Sequence, residues 1–366
     1  MPKIIAEYIW IDGESPTAYL RGKTNIITRS KRITKLSEIP KWGFDGSSTK
    51  QALSGGSDCG LQPVYFVPDP IRGTPHILVL CEVMTFPDWN PHPSNTRSLL
   101  RKIFRKHRHR KPIFGLEQEY TMFDADSLRP HRWPEKNWFP AEQGPYYCGV
   151  GVDEVYGLLL KEQHLFACVE AGLSVSGTNA EVMPSQWEFQ IGPLPPLEVA
   201  DQTWVARWIL YRLGVDRQIS IKLYPKPIPG PWNGAGLHSN FSTKEMRAGG
   251  RGKRSLRAIE SACERLGRFH KAHMKEYVYG AGNRRRLTGL HETCDYHKFR
   301  WGVGDRSASI RIPAKVAMNG HGYLEDRRPA ANMDPYRVAY AIIATVCDKG
   351  FDPKVFQYFK KKRGNR

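Results

Sequence analysis

Residues 113–123 read IFGLEQEYTMF, an apolar run interrupted by two carboxylates one residue apart, Glu117 and Glu119. Phe114, Leu116, Tyr120 and Met122 occupy even positions, while both acids occupy odd ones. A β-strand sends alternate side chains to opposite faces, so the two acids share one face, roughly 6–7 Å apart along the backbone. Two carboxylates that close on a mostly buried element repel each other and are desolvated together. They stay ionised when cations sit between them. The stretch therefore predicts a sheet strand with an apolar core face and a metal-binding face.

Further acids repeat the pattern. In NAEVMPSQWEFQIGP (179–193), Trp187, Phe189 and Ile191 alternate with Glu188 and Gln190, and Glu181 precedes them across a turn at Pro184 and Ser185. NGAGLHSNFS (233–242) is a glycine-rich bend with one imidazole, His238. In GYLEDRRP (322–329), Glu325 and Arg327 would share a strand face. Hard oxygen donors with one imidazole and no cysteine suit Mg²⁺ or Mn²⁺ better than Zn²⁺. Any one of these residues alone reads as a solvated or structural side chain; their joint occurrence carries the metal reading.

Arginines supply the complementary charge. In GDRSASIRIP (304–313), Arg311 alternates with Ile310 and Ile312, and Arg306 sits in the preceding polar turn. Arg284, Arg285 and Arg286 precede LTGLHET, which contains Glu292. Guanidinium groups beside a carboxylate–metal cluster suit a phosphate-rich substrate bearing a carboxylate. Positioned cations accelerate phosphoryl transfer because the developing charge lies on phosphoryl oxygens. Arg284 and Arg285 also read as a solvated basic face.

With these residues in view, the chain resembles the type II glutamine synthetases nearly end to end. The resemblance rests on AEYIWIDG (6–13), WGFDGSST (42–49), DPIRG (69–73), PHPSNTR (91–97), FGLEQEYTMF (114–123), GPYYCGVG (144–151), NAEVMPSQWEFQIGP, WNGAGLHSNFSTKEM (232–246), RRLTGLHET (285–293), SASIRIP (307–313) and GYLEDRRPAANMDPY (322–336). It implies an α+β protein: a small N-terminal β-grasp-like domain over 1–92, then a catalytic domain over 93–366 built on a curved antiparallel sheet. The activity implied is ATP-dependent ligation of ammonia to the γ-carboxyl of L-glutamate through a γ-glutamyl phosphate. A γ-carboxylate is a poor acyl donor until it becomes a mixed anhydride with phosphate.

Carried over residue by residue, the resemblance makes Glu119, Glu181 and Glu188 ligands of one metal, and Glu117, His238 and Glu325 ligands of a second beside the nucleotide phosphates. At least two Mg²⁺ or Mn²⁺ per site are implied, with ATP as co-substrate. Arg306 and Arg311 match phosphate-facing arginines. Arg286 and Arg327 match those around glutamate, with Trp232, Asn233 and Gly234 in the bend that holds it. Glu188, Phe189, Gln190, Ile191, Gly192 and Pro193, with Asn240, Phe241, Ser242, Tyr323, Leu324 and Glu325, line the nucleotide position in relatives. Asp45, with Ser48 close by, matches the group that binds ammonium and takes its proton, contributed by a neighbouring subunit; from the residues alone, Asp-Gly-Ser-Ser is ordinary turn chemistry. Glu292 matches the acid on a flap that closes over glutamate and excludes water. A homodecamer of two pentameric rings is also implied. Ser307, where relatives usually have glycine, and Pro231 are small departures.

The 366 residues suffice for two domains and a large core. Seven cysteines, an odd number without paired spacing, suggest reduced thiols in a cytoplasmic protein. No signal peptide or membrane-length apolar run is read. The net charge of +19 gathers in runs at 101–111, 247–257, 284–286 and 360–366. Without a reader motif these are read as solvated faces that steer anionic substrates, and nucleic-acid binding is not expected. Ser94 or Asn95 should cap a helix. Amphipathic helices are predicted over 153–171, stopped by Gly172, and over 255–274. Asp334-Pro335 should start another that ends at Gly350. Two other readings stay open: a related ligase with a different amine, and a non-catalytic relative, which would lack metal ligands where this chain has all six.

Overall fold

The computed structural model describes residues 2–127, 129–134, 140–249 and 254–357. The 360–366 basic run and part of the 247–257 run lie outside them. Two sheets organise the chain. The first orders its strands β2-β1-β5-β4-β3: β1 (Lys3–Ile11), β2 (Leu20–Thr28), β3 (Trp42–Asp45), β4 (Asp58–Pro68) and β5 (Ile77–Thr85). Only β1 and β5 pair in parallel. Alternation divides its side chains between two cores. Ala6, Tyr8 and Trp10 pack in a small core of this sheet alone, while Ile9, Leu78 and Leu80 enter the main core.

The second sheet orders β11 (Trp301–Val303), β12 (Ile310–Ile312), β13 (Leu324–Asp326), β10 (Leu237–Ser242), β6 (Ile113–Asp124), β8 (Gln186–Leu194) and β7 (Val175–Ala180), with β9 (Ile219–Lys222) pairing the far end of β6. All its pairings are antiparallel except β11 with β12. The sheet is curled, giving the α+β class expected. β6 lies inside the sheet between β10 and β8, and its even positions face the main core, where Phe114, Leu116, Tyr120 and Met122 are all buried. Gln118 shares that face. The buried Arg207 of helix Pro196–Asp216 satisfies it, donating from Nε to Gln118 Oε1 at 2.8 Å. An unpaired amide or guanidinium there would be costly.

Helix boundaries follow local chemistry. Asn95 caps helix Thr96–His107, its side chain accepting the Ser98 N–H at 3.0 Å. The helix expected from 153 begins only at Leu158 and runs to Glu170, because Gly157 adopts φ 85° and a Cβ there would lie 2.2 Å from Met122 Sδ. Its buried stripe is Leu160, His164, Ala167 and Cys168, whereas the apolar Leu159, Phe166 and Val169 stay exposed. The helix expected over 255–274 is Arg254–Arg268, broken at Phe269 (φ −100°, ψ 11°), with a further turn at His270–His273. Asp334 caps helix Pro335–Val346, which ends before Gly350; the Gly350 N–H returns to Ala344 O. All seven cysteines are free thiols, and no described helix is long and apolar enough to cross a membrane.

Candidate active site

Strand register builds the site. Glu117 stands opposite His238 on one side and Gln190 on the other. Glu119 faces Glu188, which faces Asn179 on β7. On the other flank Asn240 faces Glu325, and Glu325 faces Arg311. Since facing residues in a sheet share a face, acids that are distant in sequence become one polar surface. Glu181, just beyond β7, completes it. A cleft of about 170 Å³ opens over this surface, and all six ligand candidates line it (Glu117, Glu119, Glu181, Glu188, His238, Glu325).

The ligand atoms fall into two sets. Glu119, Glu181 and Glu188 place one oxygen each within 4.8 Å of one another; Glu117, Glu188 and His238 do the same with their ligand atoms. Glu188 belongs to both. His238 Nδ1 lies 3.5 Å from Glu117 and 3.7 Å from both Glu119 and Glu325. Each acid is also steadied from outside the cluster. Gly236 N–H donates to Glu119 (2.6 Å), Asn179 to Glu181 (3.0 Å), Gln190 to Glu188 (2.6 Å) and Asn240 to Glu117 (2.7 Å). Such partners fix ligand orientation in metal sites.

Electrostatics point the same way. Burial first, then the Glu181 charge, raises Glu119 to about 8. Burial and Glu188 raise Glu181 to about 8, and burial with Glu117 and Glu119 raises Glu188 to about 9. Without a cation between them, burial and mutual repulsion both push these acids toward the protonated form. Burial, followed by the nearby Arg327, holds His238 well below the ordinary histidine value, leaving the neutral imidazole a metal needs. Buried carboxylates sharing a neutral imidazole are a donor set that fits hard divalent ions.

Glu325 is placed differently from the other acids. It accepts from Arg327 at 2.7 Å and from Arg311 Nε, so it is already charge-compensated. Arg286, also lining the cleft, is buried and held by Asn283 and by the carbonyls of Arg327, Arg328 and Pro329 (2.9–3.1 Å). Arg306 reaches the rim over the Tyr147 ring, 5.9 Å to its centroid. Arg284 and Arg285 are exposed. Asn233, Gly234 and Glu292 line the cleft as well. Glu292 is in a loop where it and His291 both take left-handed backbone conformations (φ 58° and 52°).

Several expected residues do not face the cleft. Phe189, Ile191, Phe241 and Leu324 put their side chains into the core, because alternation turns them away from the acids; only their backbone stays on the site's strands. Trp232 packs against Trp133 in a separate small cluster. Gly192, Pro193 and Ser242 sit near strand ends and Tyr323 just before β13, and none of them lines the cleft. Asp45 ends β3 of the first sheet and Ser48 lies in the helical turn after it, and neither lines this cleft. Hydrogen bonds from Ser47 and Ser48 hold the exposed Asp45 carboxylate at about 2. Sequence reading missed Asn179, which alternation from Glu181 could have signalled, and Tyr147 and His270, whose loop and helix-end positions carry no periodic signal.

The family model for the glutamine synthetase catalytic domain matches residues 93–249. A glutamine synthetase of Streptomyces viridochromogenes is 54% identical over 93% of this chain and 96% of its own length. The chloroplastic enzyme of Chlamydomonas reinhardtii is 50% identical over 93% of this chain and 90% of its own. The enzyme of Saccharomyces cerevisiae is 49% identical over 94% and 90%. A cryo-electron-microscopy structure of Plasmodium falciparum glutamine synthetase shares the fold with a TM-score of 0.74 over 94% of this chain and 72% of that one, at 18% identity. With its acids gathered on one curled sheet and half its residues shared with such enzymes over nearly the whole length, the chain belongs to the glutamine synthetase family, the ATP-dependent glutamate–ammonia ligases.

Proposed function

We propose that this cleft is where ATP, L-glutamate and ammonia meet, with Glu119, Glu181 and Glu188 holding one divalent ion and Glu117, His238 and Glu325 the other. The reading is carried by the clustering of Glu119, Glu181 and Glu188, with His238 Nδ1 beside them, 3.5 Å from Glu117 and 3.7 Å from Glu325. Mg²⁺ or Mn²⁺ bound there would screen the γ-carboxylate from the phosphoryl group and stabilise charge during transfer. Arg306 and Arg311 orient the phosphates. Arg327 and the rigidly held Arg286 orient the carboxylates of glutamate, beside Asn233 and Gly234. Gln190 and Asn240, with the backbone of 188–193, 240–242 and 323–325, border the nucleotide. Glu292 closes the amino-acid side, keeping water from the γ-glutamyl phosphate.

In this reading Asp45 and Ser48 act at the cleft of an adjacent subunit. With its carboxylate held near 2, Asp45 stays anionic and serves first as an ammonium binder. The exposed Leu159, Phe166 and Val169 support a homo-oligomer, for which we propose two pentameric rings, and we read 1–92 and 93–366 as its two domains. A cytoplasmic location suits the free thiols.

The deciding experiment follows ATP turnover with glutamate and either ammonia or other amines, identifying the product by mass. Glutamine as the main product supports the reading; preference for another amine replaces ammonia as substrate. Asp45→Ala should impair glutamine formation more than hydroxamate formation, since hydroxylamine arrives uncharged. Equal losses with both donors would remove Asp45 from that role. Gly234→Ala tests the amino-acid pocket separately. A Cβ there would lie 2.3 Å from Pro225 O and 2.5 Å from Arg286 Cγ, so Arg286 must shift. We expect KM for glutamate to rise about tenfold, the scale of a modest overpacking cost, with KM for ATP little changed in steady-state assays.

A further inference from the structure

We propose that His270 is a positioning residue: it anchors the base of the loop carrying Glu292 to β13 and the Arg327–Arg328 segment that follows it, and so keeps water out of the cleft. The loop runs from Leu287 to Tyr296 and is closed at its base by Tyr296 N–H donating to Leu287 O at 2.9 Å. Its tip is strained, with two consecutive non-glycine residues in the left-handed region, His291 and Glu292. A strained tip keeps its shape only if the base is held. Tyr296 is held twice: its hydroxyl donates to Met274 O, and its carbonyl accepts from His270 Nε2 at 3.0 Å.

His270 in turn meets the strand. Its Nδ1 lies 3.3 Å from Arg328 Nη1, and Arg328 grips Asp326 with two bonds of 2.8 and 2.7 Å. Asp326 stands between Glu325 and Arg327, and Arg327 reaches back to Glu292 O at 3.4 Å. Loop base and loop tip are therefore both referred to β13. His270 is buried at the back of the cleft, in the break after helix Arg254–Arg268. Because Arg328 donates to Nδ1, the ring proton stays on Nε2, where Tyr296 O needs it; burial and Arg328 together hold the ring neutral.

This inference rests on the ligase reading, and its consequence is a leak. With the loop loose, a water oxygen attacks the acyl carbon of γ-glutamyl phosphate. The C–O bond to phosphate breaks, phosphate leaves with the electron pair, water's proton goes to solvent and glutamate is regenerated, so ATP is spent without glutamine. The test measures phosphate released per glutamine formed in purified full-length enzyme. In His270→Asn the shorter amide reaches the Nδ1 position alone and loses Tyr296; this ratio should rise about fivefold or more, as expected for a buried carbonyl left unpaired. In His270→Gln the longer amide can donate to Tyr296 O, and the ratio should return near the wild-type value. An unchanged ratio in His270→Asn, including one where both rates fall together, would overturn the proposal, as would an equal leak in both variants. Failure of the wild type to make glutamine would instead count against the ligase reading itself.

Discussion

Glu119→Gln is expected to lower ligation by at least about a hundredfold, the upper end of what losing a group that merely orients a metal ligand costs, while leaving the metal-free protein as stable as the wild type or more so. The substitution keeps the volume and an acceptor oxygen for the Gly236 N–H, 2.6 Å away. It removes one charge from a buried cluster in which Glu119, Glu181 and Glu188 repel one another. Because its pKa is raised on folding, Glu119 contributes stability that is fully present below about pH 4.5 and lost as pH rises through about 8. A divalent ion discharges the same repulsion, so added Mg²⁺ or Mn²⁺ should raise the wild-type Tm more at alkaline than at acidic pH. In Glu119→Gln both the pH slope without metal and the shift with metal should shrink. Thermal unfolding across that pH range, with and without chelator, measures both. Full turnover in this variant, or an unchanged metal shift, would mean the carboxylate is structural.

Glu325→Ala should act in the opposite sense on stability although the residue lines the same cleft. Glu325 is almost fully buried, with Arg327 donating at 2.7 Å and Arg311 on its other oxygen. Removing it leaves two guanidinium groups uncompensated. Breaking such a buried pair costs about 3–5 kcal/mol; the lower end, about 3 kcal/mol, fits here because Arg311 is partly solvated. A lowered urea midpoint at unchanged slope would show it. Glu325→Gln, which keeps acceptor atoms for the arginines, should lose less. A midpoint equal to wild type in Glu325→Ala would mean that the two arginines do not depend on this carboxylate. Together the two substitutions separate an acid held among like charges from one held among opposite ones.

Much of the site was legible because strand alternation is a two-residue code. Glu117 with Glu119, and Glu188 with Gln190, declare their faces from the sequence, and the same code turns Phe189 and Ile191 inward. Expectations over 153–171 and 255–274 were less successful for a related reason. A helical pattern marks apolar residues but not which side meets the sheet, so the exposure of Phe166 and Val169 is not readable from it. Gly157 takes a left-handed φ of 85° where a Cβ would clash with Met122, and the first of these helices starts only after it.

By itself the sequence determined that β6 has one apolar and one acidic face, that matching acids and arginines recur downstream, and that the whole order of motifs is that of a glutamine synthetase. These are properties of local periodicity and residue order, which survive without coordinates. Only the tertiary structure decided that Glu188 lies within reach of Glu119 and Glu181 on one side and of Glu117 and His238 on the other, that Glu325 is claimed by two arginines, that Asp45 stands away from this cleft, and that His270 meets both Tyr296 and Arg328. Those are distances between residues far apart in the chain, set by sheet register and helix packing, and no pattern within one segment encodes them.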